Sequence, residues 1–273
     1  MLADMVSLPR LLVLVGSMVV SAAAVFAQPV VHLTFDNPGQ LAADFSGNNR
    51  NGTANGNLNA RGNGVAGGAA QFDGSTSFIS LDNSVASTLA GDFTISLWVE
   101  TTATFGSDND NALQGAGIVA ADNGQSADAA LGLTGNRIGY GVANDNAALH
   151  SQSAVNTGSF VHVVVTQNAS TGERSVFVNG ALEATQQASN TAINVQGLLA
   201  LGASPSQGRY FAGAVDDFQV YNQALNASSV AYLHANPGSA VAFAVVPEPS
   251  SLLLLALGVG VIGVLQWQRW RNT

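Results

Sequence analysis

The acidic residues of this 273-residue chain are the side chains best suited to acid–base chemistry. Hydrolysis of a glycosidic bond uses two carboxylates on one surface, and on a strand such residues are two or four positions apart. Glu100 ends a strand pattern that contains no second acid. Asp216 and Asp217 are adjacent, so a regular strand would point them to opposite faces. This spacing predicts that the chain is not an enzyme and leaves a hydrolase or lyase with an unusual site as the less favoured alternative.

Histidine and cysteine offer little further chemistry. His32, His150, His162 and His234 show no His-x-x-x-His spacing of the kind that binds metals. There is no cysteine, so the chain has neither a disulfide nor a thiol nucleophile. His32 and His162 lie inside strand patterns, which favours packed or surface imidazoles over metal ligands.

Aromatic rings are the third class of candidate, because a sugar ring binds by stacking on an exposed one. Trp98 is the only tryptophan between residues 28 and 246, and Tyr140 and Tyr210 are further candidates for ligand binding. A role for Trp98 in the core is at least as strongly favoured. Tyr210 follows a loop and precedes a strand pattern, which favours partial exposure.

The charge balance narrows the classes of partner. The formal net charge is −9, and all eight basic residues are arginines. Nucleic acids and anionic lipids bind basic surfaces, so the balance argues against both. The acidic balance is compatible with divalent cations or neutral glycans as partners. A role of the acidic residues in solubility alone explains the balance equally well.

The elements that would position these residues are short strands separated by turn clusters. The segment 93–99 alternates, with Phe93, Ile95, Leu97 and Val99 on one face. The valine-rich segment 160–167 predicts a strand covered on both faces. Asn179-Gly180 lies between two strand patterns, which is a strong hairpin signal. A two-turn helix is predicted near 228–234. Strands about ten residues apart without long helices predict an antiparallel sandwich or barrel.

The order of several phrases along the chain carries a sharper identification. They are His32-Leu-Thr-Phe-Asp36, Asp44-Phe-Ser-Gly-Asn48, Ala70-Gln-Phe-Asp-Gly74, Gly91-Asp-Phe-Thr-Ile-Ser-Leu-Trp-Val99, Phe160-Val-His-Val-Val-Val165, Val176-Phe-Val-Asn-Gly180 and Phe211-Ala-Gly-Ala-Val-Asp-Asp-Phe-Gln-Val-Tyr221. This series resembles the LamG-like, concanavalin A-like jelly-roll domain over 28–235. The resemblance implies an all-β fold of two curved antiparallel sheets, with the first and last strands adjacent.

That adjacency bears on a possible calcium site. Asp36 ends the first strand pattern and Asp216 starts the last, so the resemblance implies that Asp36, Asp216 and Asp217 lie at one edge of the sandwich. Calcium takes six to eight oxygen ligands, which an acidic, loop-rich domain can supply. Bound Ca²⁺ is therefore considered as a cofactor. The alternative is that these carboxylates cap turns or hydrogen bond to a neighbouring loop.

The N-terminal residues 1–27 read as a signal peptide. Arg10 precedes an apolar stretch from Leu11 to Val20, and small residues including Val25 and Ala27 precede the expected signal-peptidase cut. The predicted mature chain starts at Gln28, and the alternative is a retained first helix.

The C-terminal end has three parts in a specific order. A linker at 236–246 precedes Pro247, Glu248 and Pro249; an apolar stretch at 250–267 is just long enough to span a bilayer; and the basic end carries Arg269 and Arg271. Residues 247–273 closely resemble the PEP-CTERM sorting signal of Gram-negative bacteria. The resemblance implies a membrane-embedded exosortase as processing partner, acting near the tripeptide. The alternative is an ordinary single-pass anchor.

These features together predict an exported protein, anchored in the inner membrane by its C-terminal helix before processing and then at the cell surface or in the extracellular matrix. Its LamG-like module would be non-catalytic and would serve adhesion or binding to glycans, including extracellular polysaccharide, or to matrix. The alternative is a structural envelope or biofilm-matrix protein with no specific ligand.

Overall fold

The computed structural model describes residues 25–26, 28–108, 110–122, 127–143, 149–188, 197–241 and 244–245. Residues Phe26–Phe243 form one compact unit. Most of the predicted signal peptide, the motif Pro247–Pro249 and the predicted span at 250–267 lie outside the described residues. Within the described ranges, no helix is both long enough and apolar enough to cross a membrane.

The described chain consists mainly of strands, with a few short helices between them. The α-helices are α1 (Asn83–Ala86) and α2 (Ala227–Ala235), and the 3-10 turns are Ser87–Ala90, Ala112–Gln114 and Pro205–Gln207. The strands are β1 (Val25–Phe26), β2 (Val31–Leu33), β3 (Thr53–Asn55), β4 (Asn59–Arg61), β5 (Ala69–Asp73), β6 (Phe78–Leu81), β7 (Phe93–Glu100), β8 (Ala116–Asp122), β9 (Ala127–Thr134), β10 (Arg137–Val142), β11 (Leu149–His150), β12 (Val161–Asn168), β13 (Glu173–Val178), β14 (Ala181–Gln187), β15 (Leu198–Leu201), β16 (Ala203–Ser204), β17 (Arg209–Tyr210), β18 (Ala212–Tyr221) and β19 (Ala244–Val245).

Two large sheets account for most of these strands, and β1 pairs with β19. Sheet I has the order β11-β10-β9-β8-β15-β6-β3, with β16 and β17 beside it. Sheet II has the order β14-β13-β12-β7-β18-β5-β4. Strand β2 pairs with the second half of β18, beyond the end of β5. The sheets are antiparallel apart from one parallel bridge, so the predicted jelly-roll sandwich and the adjacency of the first and last strands are confirmed.

The core lies between the two sheets and follows the alternation of the sequence. Phe93, Ile95, Leu97 and Val99 of β7 belong to it, together with residues of sheet I such as Leu131. Residues Val163, Val164 and Val165 of β12 are fully buried, which confirms that both faces of this strand are covered. The predicted hairpin is also present: β13 and β14 pair antiparallel across Asn179 and Gly180, whose φ angles of 49° and 78° are those the turn requires.

Helix α2 covers part of the outer face of sheet II, the face turned away from sheet I. It is capped by Asn226, whose side chain accepts from Ser229 N, and its buried residues Val230 and Leu233 pack on Val164, Phe177 and Tyr221. This second apolar cluster explains why both faces of β12 are apolar.

Residues 236–241, here called the C-terminal strap, continue from α2 across the same face. Gly238 N donates to Asp217 Oδ2 at 2.8 Å, and Val241 N donates to the Tyr221 hydroxyl at 3.1 Å. Gln219 Nε2 donates to Ser239 O at 3.1 Å, and Val241 is buried. Polar side chains of β18 therefore bind the backbone of the first part of the predicted linker at 236–246 and keep it on the domain.

Candidate functional site

Two of the three candidate calcium ligands hold one loop, the segment between β4 and β5. Asp36 Oδ1 accepts from Gly68 N at 2.9 Å, and Asp216 Oδ2 accepts from Ala66 N at 3.0 Å. Burial raises the pKa of Asp216 to about 6, and hydrogen bonds from backbone amides offset only part of that effect. The two carboxylates are therefore brought to the same region, where they position backbone.

Asp217 lies at an irregularity in β18. Its φ is 49°, and the register with β7 shifts between Asp216, which faces Trp98, and Gln219, which faces Ser96. The Asp217 carboxylate accepts from Gln219 Nε2 at 2.7 Å and lies 2.7 Å from His32 Nε2. Trp98 and Ser96 share one face of β7, so their partners Asp216 and Gln219 lie on the same outer face of the sheet. Asp217 contacts Gln219 and His32 on that face, so the bulge brings both acids to it. The expectation of opposite faces for Asp216 and Asp217 is therefore wrong.

These contacts do not resemble a calcium shell. Most of the groups that meet the three carboxylates are N–H donors, which place hydrogen where a cation would lie. Across the part of the chain that the structure describes, no group of three or more His, Asp or Glu side chains could hold a metal ion. Calcium stays a prediction without support from this geometry.

Two of the three candidate stacking rings are buried. Trp98 is 6% exposed, and its ring centroid lies 4.9 Å from that of His162 and 5.4 Å from that of His234. Tyr140 is 2% exposed and packs edge-on against Phe93 in the core. Neither ring offers a face to a sugar, which corrects the interpretation of both as binding platforms. Tyr210, on β17, is half-buried and keeps its candidate status.

The imidazole of His162 lies in the same covered region as Trp98. Its Nε2 is 3.0 Å from Ser96 Oγ, and both residues are about 1% exposed. The pKa of His162 is lowered to about 3, mainly by burial and in smaller part by the nearby His234. This serine–histidine pair is enclosed below α2, so substrate has no access to it.

An open pocket of about 350 Å³ lies further along the same outer face, at the start of β18. Its floor is formed by Ala212, Gly213 and Ala214. Its walls are Gln71, Glu100 and the loop 101–103, with Arg61 and Gly158 completing the rim.

Arg61 and Glu100 are the two charged residues of this lining. Their side chains make two parallel hydrogen bonds, Nη1 to Oε1 at 2.8 Å and Nη2 to Oε2 at 2.9 Å. Arg61 is on β4 and Glu100 on β7, with β5 and β18 between them. Neighbouring strands are about 4.8 Å apart, so the pair reaches over two strands. The guanidinium carbon also lies 5.5 Å from the ring centroid of Phe160, which helps to fix it.

Small residues and fixed backbone keep the pocket open. Gln71 Nε2 donates to Gly213 O at 3.0 Å, and the Thr101 hydroxyl donates to Ala212 O at 2.7 Å. A Cβ on Gly213 would lie 2.4 Å from Glu100 O, so glycine is required there. The Ala-Gly-Ala run inside a strand was the sequence signal for this pocket, because glycine in a strand marks a close backbone approach. Sequence reasoning noted Glu100 but missed its pairing with Arg61.

One exposed aromatic ring was also missed. Phe45 is 54% exposed in the loop after β2. Asp44 holds this loop by accepting from His32 N at 3.0 Å and from Arg50 N at 2.8 Å. Burial raises the pKa of Asp44, but these and further hydrogen bonds outweigh it and hold the pKa below its usual value. Phe45 is therefore a second candidate contact for a ligand.

Comparisons with solved structures agree with the fold. Domain 4 of AbnA, a GH43 extracellular arabinanase from Geobacillus stearothermophilus, solved in complex with arabinotriose, is 22% identical, with a TM-score of 0.58, over 77% of this chain and 99% of that chain. The botulinum neurotoxin type G receptor binding domain is 18% identical, with a TM-score of 0.56, over 77% of this chain. The binding domain of Paraclostridial Mosquitocidal Protein 1 is 16% identical, with a TM-score of 0.54, over 76%. The chain spans about half the length of these two toxin domains. Identities this low show the fold alone.

Family comparisons extend this result to the sequence. No curated protein matches the chain. The PEP-CTERM protein-sorting motif matches residues 245–269, which confirms the identification of the C-terminal signal. The Laminin_G_3 family matches residues 72–231, more than half of the chain. The chain therefore belongs to Laminin_G_3, within the concanavalin A-like lectin/glucanases superfamily.

Proposed function

We propose that this is an exported protein of the cell envelope or extracellular matrix whose domain binds a glycan or a matrix component without catalysing a reaction. An exosortase-type system sorts it through the motif at 245–269. Before processing, the apolar stretch at 250–267 anchors it in the inner membrane of a Gram-negative cell.

The pocket lined by Arg61 and Glu100 is the observation that carries this proposal. It joins hydrogen-bonding side chains to a rigid floor, and its volume of about 350 Å³ falls within the range of ligand sites. Glu100 is the one carboxylate in its lining, and Arg61 holds it on both oxygens. Acid–base hydrolysis needs a second carboxylate, so this lining favours binding over turnover.

The solved relatives support the same choice of class. One is a domain that was solved in complex with arabinotriose, and two are binding domains of toxins. A binding role on this fold is therefore consistent with the pocket, while the ligand of this chain has to be found by experiment.

The test is a glycan array probed with the full chain in detergent, beside the variant Ala212→Leu. Ala212 is partly exposed at the pocket floor, so the larger side chain enters the pocket without filling the core. We expect native protein to bind and the variant to lose binding, with the melting temperature unchanged. Ala181→Leu, at the exposed start of β14 on the far edge of sheet II, is the matched control and should bind like the native chain.

Three other outcomes would redirect or contradict the proposal. Loss of binding in Phe45→Ala but not in Ala212→Leu would move the site to the loop after β2. Binding to no glycan and no matrix preparation would favour the purely structural role, and turnover of a bound glycan would contradict a non-catalytic domain.

A further inference from the structure

The pocket carries equal and opposite charges. Arg61 and Glu100 are the charged residues of its lining, and they neutralise one another through two hydrogen bonds. The remaining lining residues are neutral: Gln71, Phe72, Thr101, Thr102, Ala103, Gly158, Ala212, Gly213 and Ala214. A ligand therefore meets a polar surface without net charge, on a chain whose formal net charge is −9.

The ion pair still has hydrogen-bonding capacity on both sides. A guanidinium has five N–H donors, and the contacts with Glu100 use two of them. A carboxylate has about four acceptor sites, and the same contacts use two. Side-chain exposures of 28% for Arg61 and 21% for Glu100 leave part of each group open to solvent. Donors and acceptors thus lie side by side.

A hydroxyl group matches such a surface because it both donates and accepts. A ligand carboxylate only accepts, so it would bond to Arg61 while lying against Glu100, and charges of like sign repel. The rigid floor below the pair leaves room for a small group, since about 350 Å³ is at the low end of ligand-site volumes.

We propose that the pocket binds the hydroxyl-rich end of a neutral glycan, with Arg61 and Glu100 as its paired donor and acceptor, and that it rejects acidic sugars. This inference rests on the proposed glycan-binding function. It adds the chemical class of the ligand and the residues that select it.

Two variants of opposite charge test the inference on the full chain. Glu100→Gln leaves the positive charge of Arg61 unpaired in the pocket, and Arg61→Gln leaves the negative charge of Glu100 unpaired there. The probes are neutral oligosaccharides and oligosaccharides that contain uronic acid, measured by titration. Glu173→Gln is the control for net charge, because Glu173 is exposed at the start of β13, next to the end of β12 remote from Phe160.

For a neutral ligand, both pocket variants should weaken binding by at least about tenfold, as expected for the loss of hydrogen bonds to charged groups, and the control should not. For an acidic ligand the two variants would act in opposite directions: Glu100→Gln would strengthen binding and Arg61→Gln would weaken it. That result, or binding confined to uronic acids, would overturn the inference and leave glycan binding standing.

Two further outcomes are distinguishable from these. Neutral glycans that bind equally well to native protein, Glu100→Gln and Arg61→Gln would overturn the assignment of this pocket. Absence of binding to any glycan by native protein would overturn the proposed function itself. Melting temperatures of all variants show whether a loss of binding reflects a loss of fold.

Discussion

The outer face of sheet II has two ends that are built on the same strands, and one of them is covered by α2 while the other is open. At one end, Trp98 and His162 lie below His234 of α2 and are buried. At the other end, Glu100, two residues after Trp98 on the same face of β7, points into an open pocket. Strand β18 behaves likewise, with Tyr221 buried at one end and Ala212 partly exposed at the other.

The difference lies in side-chain size and in what covers the strands. The covered end has large rings and a helix above them, so it contributes apolar burial to stability. The open end has alanines and glycine below a salt bridge that is partly exposed to solvent, and such pairs contribute little to stability. One end of this sheet face therefore contributes to stability, and the other end carries the proposed binding pocket.

The largest expected effect is at the covered end. Trp98→Ala removes a buried ring that packs against two imidazoles, one of them on α2, so we expect a loss of about 3–5 kcal/mol in the free energy of unfolding. Urea titration of the full chain in detergent measures it. Tyr210→Ala, at a half-buried ring, should cost clearly less, and equal losses in both variants would contradict the comparison.

The second effect depends on pH. The pKa of His162 is about 3 in the folded chain, below its ordinary value of 6.5, so the unfolded chain binds more protons between these values. Stability from this group is fully present above pH 6.5 and is lost as the pH falls towards 3. When the pH is lowered from 6.5 to 4, the free energy of unfolding of His162→Gln should fall by about 3 kcal/mol less than that of native protein.

Asp216 acts in the opposite direction over an overlapping range. Its folded pKa of about 6 lies above its ordinary 3.8, so its contribution to the free energy of unfolding is present below pH 3.8 and is lost as the pH rises through 6.

A His162→Gln variant whose pH profile of stability coincides with that of native protein would contradict the assignment of the acid sensitivity to this imidazole.

A smaller effect on stability is expected at the open end. Glu100→Gln should lower the free energy of unfolding by less than about 1 kcal/mol, because the ion pair is partly exposed. The same variant is expected to lose at least about tenfold in glycan affinity. Urea titration and binding titration on one preparation would show whether the two quantities separate, and a large stability loss would remove the contrast between the ends.

No effect is expected from calcium. A Ca²⁺ ion at about one hundred times its Kd would add about 2.7 kcal/mol, but most groups that meet Asp36, Asp216 and Asp217 are N–H donors. The melting temperature should therefore be the same in Ca²⁺ and in EDTA. A clear rise with Ca²⁺ would restore the calcium interpretation.

Sequence reasoning succeeded where the signal was local. The alternation in β7, the Asn179-Gly180 hairpin and the doubly covered β12 each follow from neighbouring residues, and the order of short phrases identified the family. It failed where partners are distant in sequence. The ring of Trp98 is covered by His234, the bulge at Asp217 is fixed by His32 and Gly238, and Arg61 reaches Glu100 across two strands. No periodicity within a segment encodes these contacts.

The C-terminal strap has a consequence for the mature protein. Its last hydrogen bond in the domain is that of Val241, and Pro247 follows six residues later. Six extended residues reach at most about 20 Å, so an enzyme that cut at the motif would have to work within that distance of the strap. Because the strap ends before the motif, a cut at Pro247–Pro249 would release the domain with its apolar cover over Tyr221 complete.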